Sequence, residues 1–187
     1  MKEDIEKASK ALVDGGIIIY PTDTVWGIGC DATNPKAVEK LMQLKNKAGD
    51  KGLIVLIDQV GRLASYVVEV PDLAYDLMEM SEKPLTIVYD KGRNLAAALL
   101  AQDGSVGIRV TKDEFCKRLI EKFRKPIVST SANFSGQPTP AFFSEIQEEL
   151  IRQADYTVHW RREDKSPAKP SSVIKLGAGG AIKIIRE

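Results

Sequence analysis

The chain has 187 residues, 43% of them hydrophobic, which is enough for one sizeable domain with its own core. Its 27 Lys and Arg stand against 26 Asp and Glu, so a net charge of +1 excludes a whole-protein attraction to nucleic acid or membrane, and any basic site must be local. Cys30, Cys116 and the single His159 are too few for a disulfide framework or a Cys/His zinc site, and both cysteines read as core thiols.

From the N-terminus, Ile5, Ala8 and Leu12 share one helical face, and Gly15 and Gly16 stop that helix before the buried strand "IIIY". The apolar runs "GGIIIY" and "GLIVLI" fall far short of the roughly 20 residues that span a bilayer, and the first helix carries acids rather than a signal pattern, so a cytoplasmic protein is expected. Asn34 and Pro35 read as the cap and first residue of a second helix with Val38, Leu41 and Met42 on its apolar stripe. A buried strand follows at 53–57, then a helix opened by Pro71, the strand "LTIVYD", a short helix near 95–100 and the strand "SVGIRV". Phe115, Leu119, Ile120 and Phe123 mark the next helix, "PIVST" the next strand, and Phe143, Ile146, Leu150 and Ile151 the last helix. Strands "SSVIKL" and "AIKIIR" close the chain around the turn "GAGG". The pattern predicts an α/β fold with a mixed sheet in a single domain over 1–187. The charged, proline-containing stretch 156–171 reads as a surface loop or flap.

Open α/β sheets build ligand sites where strands run into loops, and three such loops stand out. In "YPTDTVWGIGCDA" two threonines flank an acid directly after a strand, and Gly27 and Gly29 allow close backbone approach; taken alone, it also reads as a hydroxyl-rich turn. In "LKNKAGDKG" Lys45, Lys47 and Lys51 suit phosphates, or simply complement a helix end. In "VSTSANFSGQPTPA" hydroxyls and amide donors crowd a strand end, fit for phosphate, ribose or a small amino acid. Neither a Walker loop nor a dinucleotide fingerprint occurs, and one histidine in an irregular segment argues against Ser-His or Cys-His catalysis. Asp23 and Asp31 read as solvated turn acids, while Arg118, Lys122, Arg124 and Lys125, and Arg161 and Arg162 beside Trp160, are solvated charge or nucleic-acid contacts.

These segments together resemble the YrdC-like family, the L-threonylcarbamoyladenylate synthases: "YPTDTVWGIGCDA", "LKNKAGDKGLIVLI", "PLTIVY", "GSVGIRV", "STSANFSGQPTP" and a terminal "SSVIK…IIR" occur in that family's order from about residue 10 onward. The resemblance implies a twisted open mixed α/β sheet flanked by helices around a concave, basic cavity. It implies synthesis of threonylcarbamoyl-AMP and pyrophosphate from L-threonine, bicarbonate and ATP, for modification of the tRNA adenosine beside the anticodon. It places Thr24, Arg109, Ser129 and Ser171 on the threonine side, and Lys45, Lys47, Lys51, Ser105, Ser131, Asn133, Thr139 and Arg186 on the nucleotide side. No residue is assigned as a general acid or base, and the protein is expected to supply no metal ligand; Mg2+ would travel on the triphosphate.

Two departures mark this chain. It has Lys45-Asn46-Lys47 where the family commonly has Lys-x-Arg, and it ends at Glu187, as in the short single-domain form. Downstream tRNA-modification enzymes are the expected partners, with tRNA or double-stranded RNA contact in view and no membrane. The competing reading is a non-catalytic RNA-binding or ribosome-associated module using the same cavity. Aromatics at 6% of the chain, few of them in these loops, argue against a base-stacking groove.

Overall fold

A computed structural model describes residues 1–45, 52–166 and 169–187. The elements are α1 (Lys2–Val13), β1 (Ile18–Tyr20), β2 (Gly27–Gly29), α2 (Pro35–Leu44), β3 (Ile54–Ile57), α3 (Leu63–Tyr66), α4 (Asp72–Met80), β4 (Leu85–Tyr89) and β5 (Val106–Val110). They continue with α5 (Glu114–Phe123), β6 (Ile127–Ser131), α6 (Glu148–Gln153), β7 (Tyr156–Thr157), β8 (Ser172–Leu176) and β9 (Ile182–Arg186). Among the described residues nine strands form one sheet in the order β7-β1-β2-β6-β3-β5-β4-β8-β9. The β1–β7, β3–β5 and β4–β8 pairs are parallel and the others antiparallel, so the mixed sheet is as expected.

Local signals explain the element ends. Gly15 sits at φ 77°, a left-handed conformation that glycine takes without strain, and the N–H groups of Gly15 and Gly16 donate to Leu12 O and Ala11 O to end α1. Asn34 Oδ1 accepts from the N–H groups of Lys36 and Ala37 at 3.1 and 3.3 Å, capping α2 as its sequence predicts. Asp113 caps α5 in the same way, accepting from Cys116 N at 2.8 Å.

The period of two along each strand divides the core. Ile17, Ile19, Val55, Ile57, Ile87, Ile108 and Val128 pack on one face with α2, α3 and α4. Ile18, Tyr20, Leu56 and Ile127 point to the other, where Leu12, Phe115, Leu119 and Phe123 of α1 and α5 cover them. Each fully buried Leu, Ile or Phe contributes roughly 1.5–3 kcal/mol of burial, so two apolar faces commit these strands to the sheet interior. Cys30 and Cys116 are buried free thiols; burial pushes Cys30 up to about 12 and Cys116 well above its ordinary value.

Three expectations change. The helix expected from Phe143 to Ile151 is a 3-10 turn (Phe143–Glu145) followed by the short α6, because Ile146 breaks out at φ −68°, ψ 128°. The loop expected over 20–32 contains β2, whose Gly29 lets the backbone of β6 pass: a Cβ there would stand 1.8 Å from Val128 O. The stretch 156–171 is no simple flap, since β7 adds to the edge of the sheet beside β1.

Carboxylates hold β7 at both ends. Asp155 accepts from Ile17 N at 2.7 Å and from Lys40 Nζ, while Asp4 of α1 accepts from Tyr156 Oη at 2.7 Å, His159 N at 2.8 Å and Trp160 N at 3.1 Å. Burial works to raise the Asp4 carboxyl, but the donors from His159 and Tyr156 outweigh it and hold it below its ordinary value of 3.8. A carboxyl depressed in the folded state stabilises it above the unfolded pKa and ceases to do so as pH falls through the folded one. Asp4→Asn is therefore expected to lower stability at pH 7 by about 2 kcal/mol, a Tm shift of roughly 4–8 °C. Melting both proteins from pH 7 to pH 2 checks this: the gap should narrow below about pH 4, and a gap constant with pH would refute the assignment.

Candidate functional site

The face covered by α1 and α5 at one end lies open over β3, β4, β5 and β6, and there the strands carry small and polar residues. In β4 the alternation runs Thr86 and Val88 against the core residues Ile87 and Tyr89; in β5 it runs Gly107 and Arg109 against Ile108. In β6, Ser129 and Ser131 oppose the core residue Val128. Register aligns them, because Arg109 pairs with Leu56 on one side and Thr86 on the other, and Ile54 pairs with Ser129. The resulting concavity holds about 620 Å³, within the range of about 300–1,000 Å³ usual for small-molecule sites. Its floor is the middle of the sheet, whereas the sequence pointed to loops at strand ends. The antiparallel neighbours in this mixed sheet account for the difference, since a purely parallel sheet gathers its loops at one edge.

Arg109 is the buried cation of this floor, 3% exposed. Its Nη1 donates to Thr24 Oγ1 at 3.3 Å and its Nη2 lies 3.2 Å from Asp23 Oδ1. Its buried Nε–H has no acceptor among the described residues. An orphaned, charged donor beneath a cavity is costly unless a ligand accepts from it. The "PTDT" loop is built to reach this point. Thr22 Oγ1 accepts from Thr24 N at 2.9 Å, contacts Thr24 Oγ1 at 2.9 Å and donates to Val25 O, folding both hydroxyls back over the sheet. Tyr20 Oη, whose phenol burial pushes above its ordinary pKa, donates to Val128 O at 3.0 Å and so fixes β6.

The opposite wall is pinned by the C-terminal hairpin. Arg186 donates through Nε and Nη2 to Ser171 O at 3.0 and 2.7 Å, and Ser171 Oγ lies 2.9 Å from Thr86 Oγ1. Thus Thr24, Arg109, Ser129 and Ser171 line one cavity together with Ser105, Ser131, Thr139 and Arg186. Lys45 lies against β6 and is not among the cavity residues: it is buried, and its Nζ donates to Ser131 O and, at 3.4 Å, to Thr130 Oγ1. Asn133 shapes the turn beyond β6, donating to Phe134 O and Gln137 O at 3.0 and 2.7 Å, and is not among the cavity residues. Lys47 and Lys51 lie outside the described residues. Arg109 and Arg186 are the charged residues among those lining the cavity, and no carboxylate lines it among the described residues.

Sequence reasoning missed Thr86 and Gly107, although a glycine inside "SVGIRV" and a threonine inside "PLTIVY" were visible breaks in apolar strands. It also misread two acids. Asp23 is only 12% exposed in its side chain and faces Arg109. Asp31 is buried, accepting from Thr33 N and Oγ1 at 2.8 and 2.7 Å and pairing with Lys125 at 2.8 Å. Arg161 and Arg162 are likewise engaged within the fold, Arg161 with Asp113 at 2.8 Å and Arg162 with the carbonyls of Thr157 and Val158.

Known proteins resemble the chain in sequence and in fold. A threonylcarbamoyl-AMP synthase of Pseudoalteromonas translucida is 38% identical over 157 residues, covering 82% of this chain and 84% of that protein. The crystal structure of P. abyssi Sua5 complexed with L-threonine superposes with a TM-score of 0.87 at 25% identity over 100% of this chain, which spans 54% of that longer one. E. coli YciO gives a TM-score of 0.85 at 25% identity and is covered over 90% of its length. The family model described as telomere recombination, that of the Sua5, YciO and YrdC proteins, matches residues 10–187, and the chain therefore belongs to the Sua5/YciO/YrdC family.

Proposed function

We propose that the chain is a nucleotidyltransferase that makes threonylcarbamoyl-AMP and pyrophosphate from L-threonine, bicarbonate and ATP, for threonylcarbamoyladenosine modification of tRNA next to the anticodon. The observation that carries this is Arg109: a buried guanidinium with an orphaned Nε–H, set among the hydroxyls of Thr24 and Ser129, matches an amino-acid carboxylate. Thr24, Arg109, Ser129 and Ser171 would hold threonine. Ser105, Ser131, Thr139 and Arg186 would hold the nucleotide from the cavity wall, Lys45 and Asn133 would support them from outside it, and Lys47 and Lys51 would meet the phosphates. In this reading the whole span 1–187 works as one domain.

The chemistry asks for positioning rather than for a protein base. The threonine amine and bicarbonate condense to a carbamate with loss of water. A carbamate oxygen then bonds to the α-phosphorus of ATP as the bond to the bridging oxygen breaks, and pyrophosphate leaves. Buried hydroxyls and guanidinium groups stabilise charge spread over phosphoryl oxygens without transferring a proton. Magnesium arrives with ATP, as part of the substrate. Among the described residues no three His, Cys, Asp or Glu gather to hold a metal ion. No helix among the described residues is long and apolar enough to cross a membrane, and we place the protein in the cytoplasm beside the tRNA-modification enzymes that consume its product. Contact with tRNA or double-stranded RNA belongs to the same proposal.

Incubating the purified protein with ATP, magnesium, bicarbonate and one amino acid at a time tests this by pyrophosphate release and chromatography of the adenylate. Product is expected with L-threonine only when bicarbonate is present. Serine, lacking one methyl, should be disfavoured by about 1–3 kcal/mol, roughly fivefold to 150-fold. Equal turnover with unrelated amino acids, or none with threonine, overturns the proposal.

A further inference from the structure

Resting on the synthase reading, we propose that Asp23 is a positioning residue for threonine recognition, acting through Arg109 rather than by touching substrate. The single acid of "PTDT" reads in the sequence as a solvated turn acid, yet the fold turns it inward. Asp23 Oδ2 accepts from Lys112 N at 3.0 Å and from Thr111 Oγ1 at 3.4 Å, and Oδ1 lies 3.2 Å from Arg109 Nη2. Thr111 and Lys112 directly follow β5, the strand that carries Arg109. The carboxylate therefore links the "PTDT" loop to the end of β5 and to the side chain of β5 at the same time. Loop, strand end and guanidinium form a closed ring of contacts.

That ring does two things for the cavity. It gives a buried cation a counter-charge while the site is empty, which a guanidinium 3% exposed requires. It also fixes the guanidinium plane through Nη2 on Asp23 and Nη1 on Thr24, leaving the Nε–H without an acceptor. The Asp23 contact is an ion pair rather than an aligned hydrogen bond, because Oδ1 has no hydrogen-bond donor among the described residues. Arg109 thus keeps donor capacity for an incoming carboxylate while its orientation is held. Asp23 itself is not among the residues lining the cavity. Held at Nη1 and Nη2, the guanidinium meets an incoming carboxylate already oriented, so loss of this ion pair weakens threonine binding.

A double-mutant cycle on the intact chain separates this role from a structural one. Threonine and ATP are titrated separately into the parent, Asp23→Asn, Arg109→Lys and the double variant, with thermal melts alongside. Asparagine keeps an acceptor for Lys112 N but loses the counter-charge. The expected result is threonine binding weakened about tenfold in Asp23→Asn, ATP binding within about twofold of the parent, and no further loss when Asp23→Asn is added to Arg109→Lys. Equal losses for both ligands, or a full additional loss in the double variant, would show that Asp23 supports the fold or acts elsewhere, and would overturn the proposal. Unchanged threonine binding in Asp23→Asn would overturn it too. Failure of the parent to bind threonine would instead overturn the synthase reading.

Discussion

Arg109→Ala is expected to weaken threonine binding by roughly tenfold to a hundredfold or more, the cost of removing a charge-assisted contact of about 1.5–3 kcal/mol. Because Asp23 then faces the floor without its partner, the same variant should also lose stability, by about 3 kcal/mol, the lower end for breaking a buried pair. Arg109→Lys keeps the charge, losing the planar fork but less of the stability, so it reports on binding even if the alanine variant folds poorly. ATP affinity measured without threonine should change much less in either protein. Lys47→Ala should do the reverse and weaken ATP first. Separate titrations by calorimetry decide the matter: if Arg109→Lys and Lys47→Ala both bind both ligands like the parent, the two half-sites are wrongly assigned.

Gly107→Val should abolish most ligand binding while leaving the fold nearly intact. Gly107 lies in β5 on the cavity face, and a Cβ there meets Ile54 Cγ2 at 3.4 Å and Thr86 Cγ2 at 3.5 Å, which is ordinary contact. A valine suits a strand, so its backbone cost is small. Its two methyl groups must occupy space above the floor, and overfilling a packed site costs typically about 1–3 kcal/mol, or roughly fivefold to 150-fold in affinity. Thermal melts should place the variant within about 1 kcal/mol of the parent, while titrations with ATP and threonine show the loss. A variant that melts like the parent and binds both ligands normally would mean that substrates do not approach this part of the sheet.

Much of the fold was legible because its signals are local. The Gly15-Gly16 stop, the Asn34-Pro35 start and the apolar stripe Phe115, Leu119, Ile120, Phe123 each depend on residues within a few positions of one another. The strand pairings were not legible, since joining β2 to β6 or β4 to β8 depends on contacts between residues far apart in the chain, such as Gly27 with Ser131 and Leu85 with Ser172. The short β7 was hidden for the same reason: a two-residue strand has no period to read, and its place is set by Asp4 and Asp155 from elsewhere. At the site, the hydroxyl-rich loops announced themselves by composition. Thr86 and Gly107 did not, because one threonine or glycine in an apolar strand acquires meaning only when registration sets it beside Arg109 or Ile54. The inward turn of Asp23 was equally invisible, being fixed by Lys112 and Thr111, nearly ninety residues away.

The alternation that puts Thr86, Arg109 and Ser129 over the cavity also puts Ile87, Ile108 and Val128 beneath it, in the hydrophobic core. Substrate surface and core are thus two sides of one backbone, about one peptide thick. A saturation mutagenesis map of β4, β5 and β6 should therefore show no run of tolerant positions between functional ones. Odd and even residues would both be sensitive, but to different assays: one set to turnover at low substrate, the other to heat. Directed evolution toward another amino acid would find little slack in these strands and would have to work from the loops that roof them.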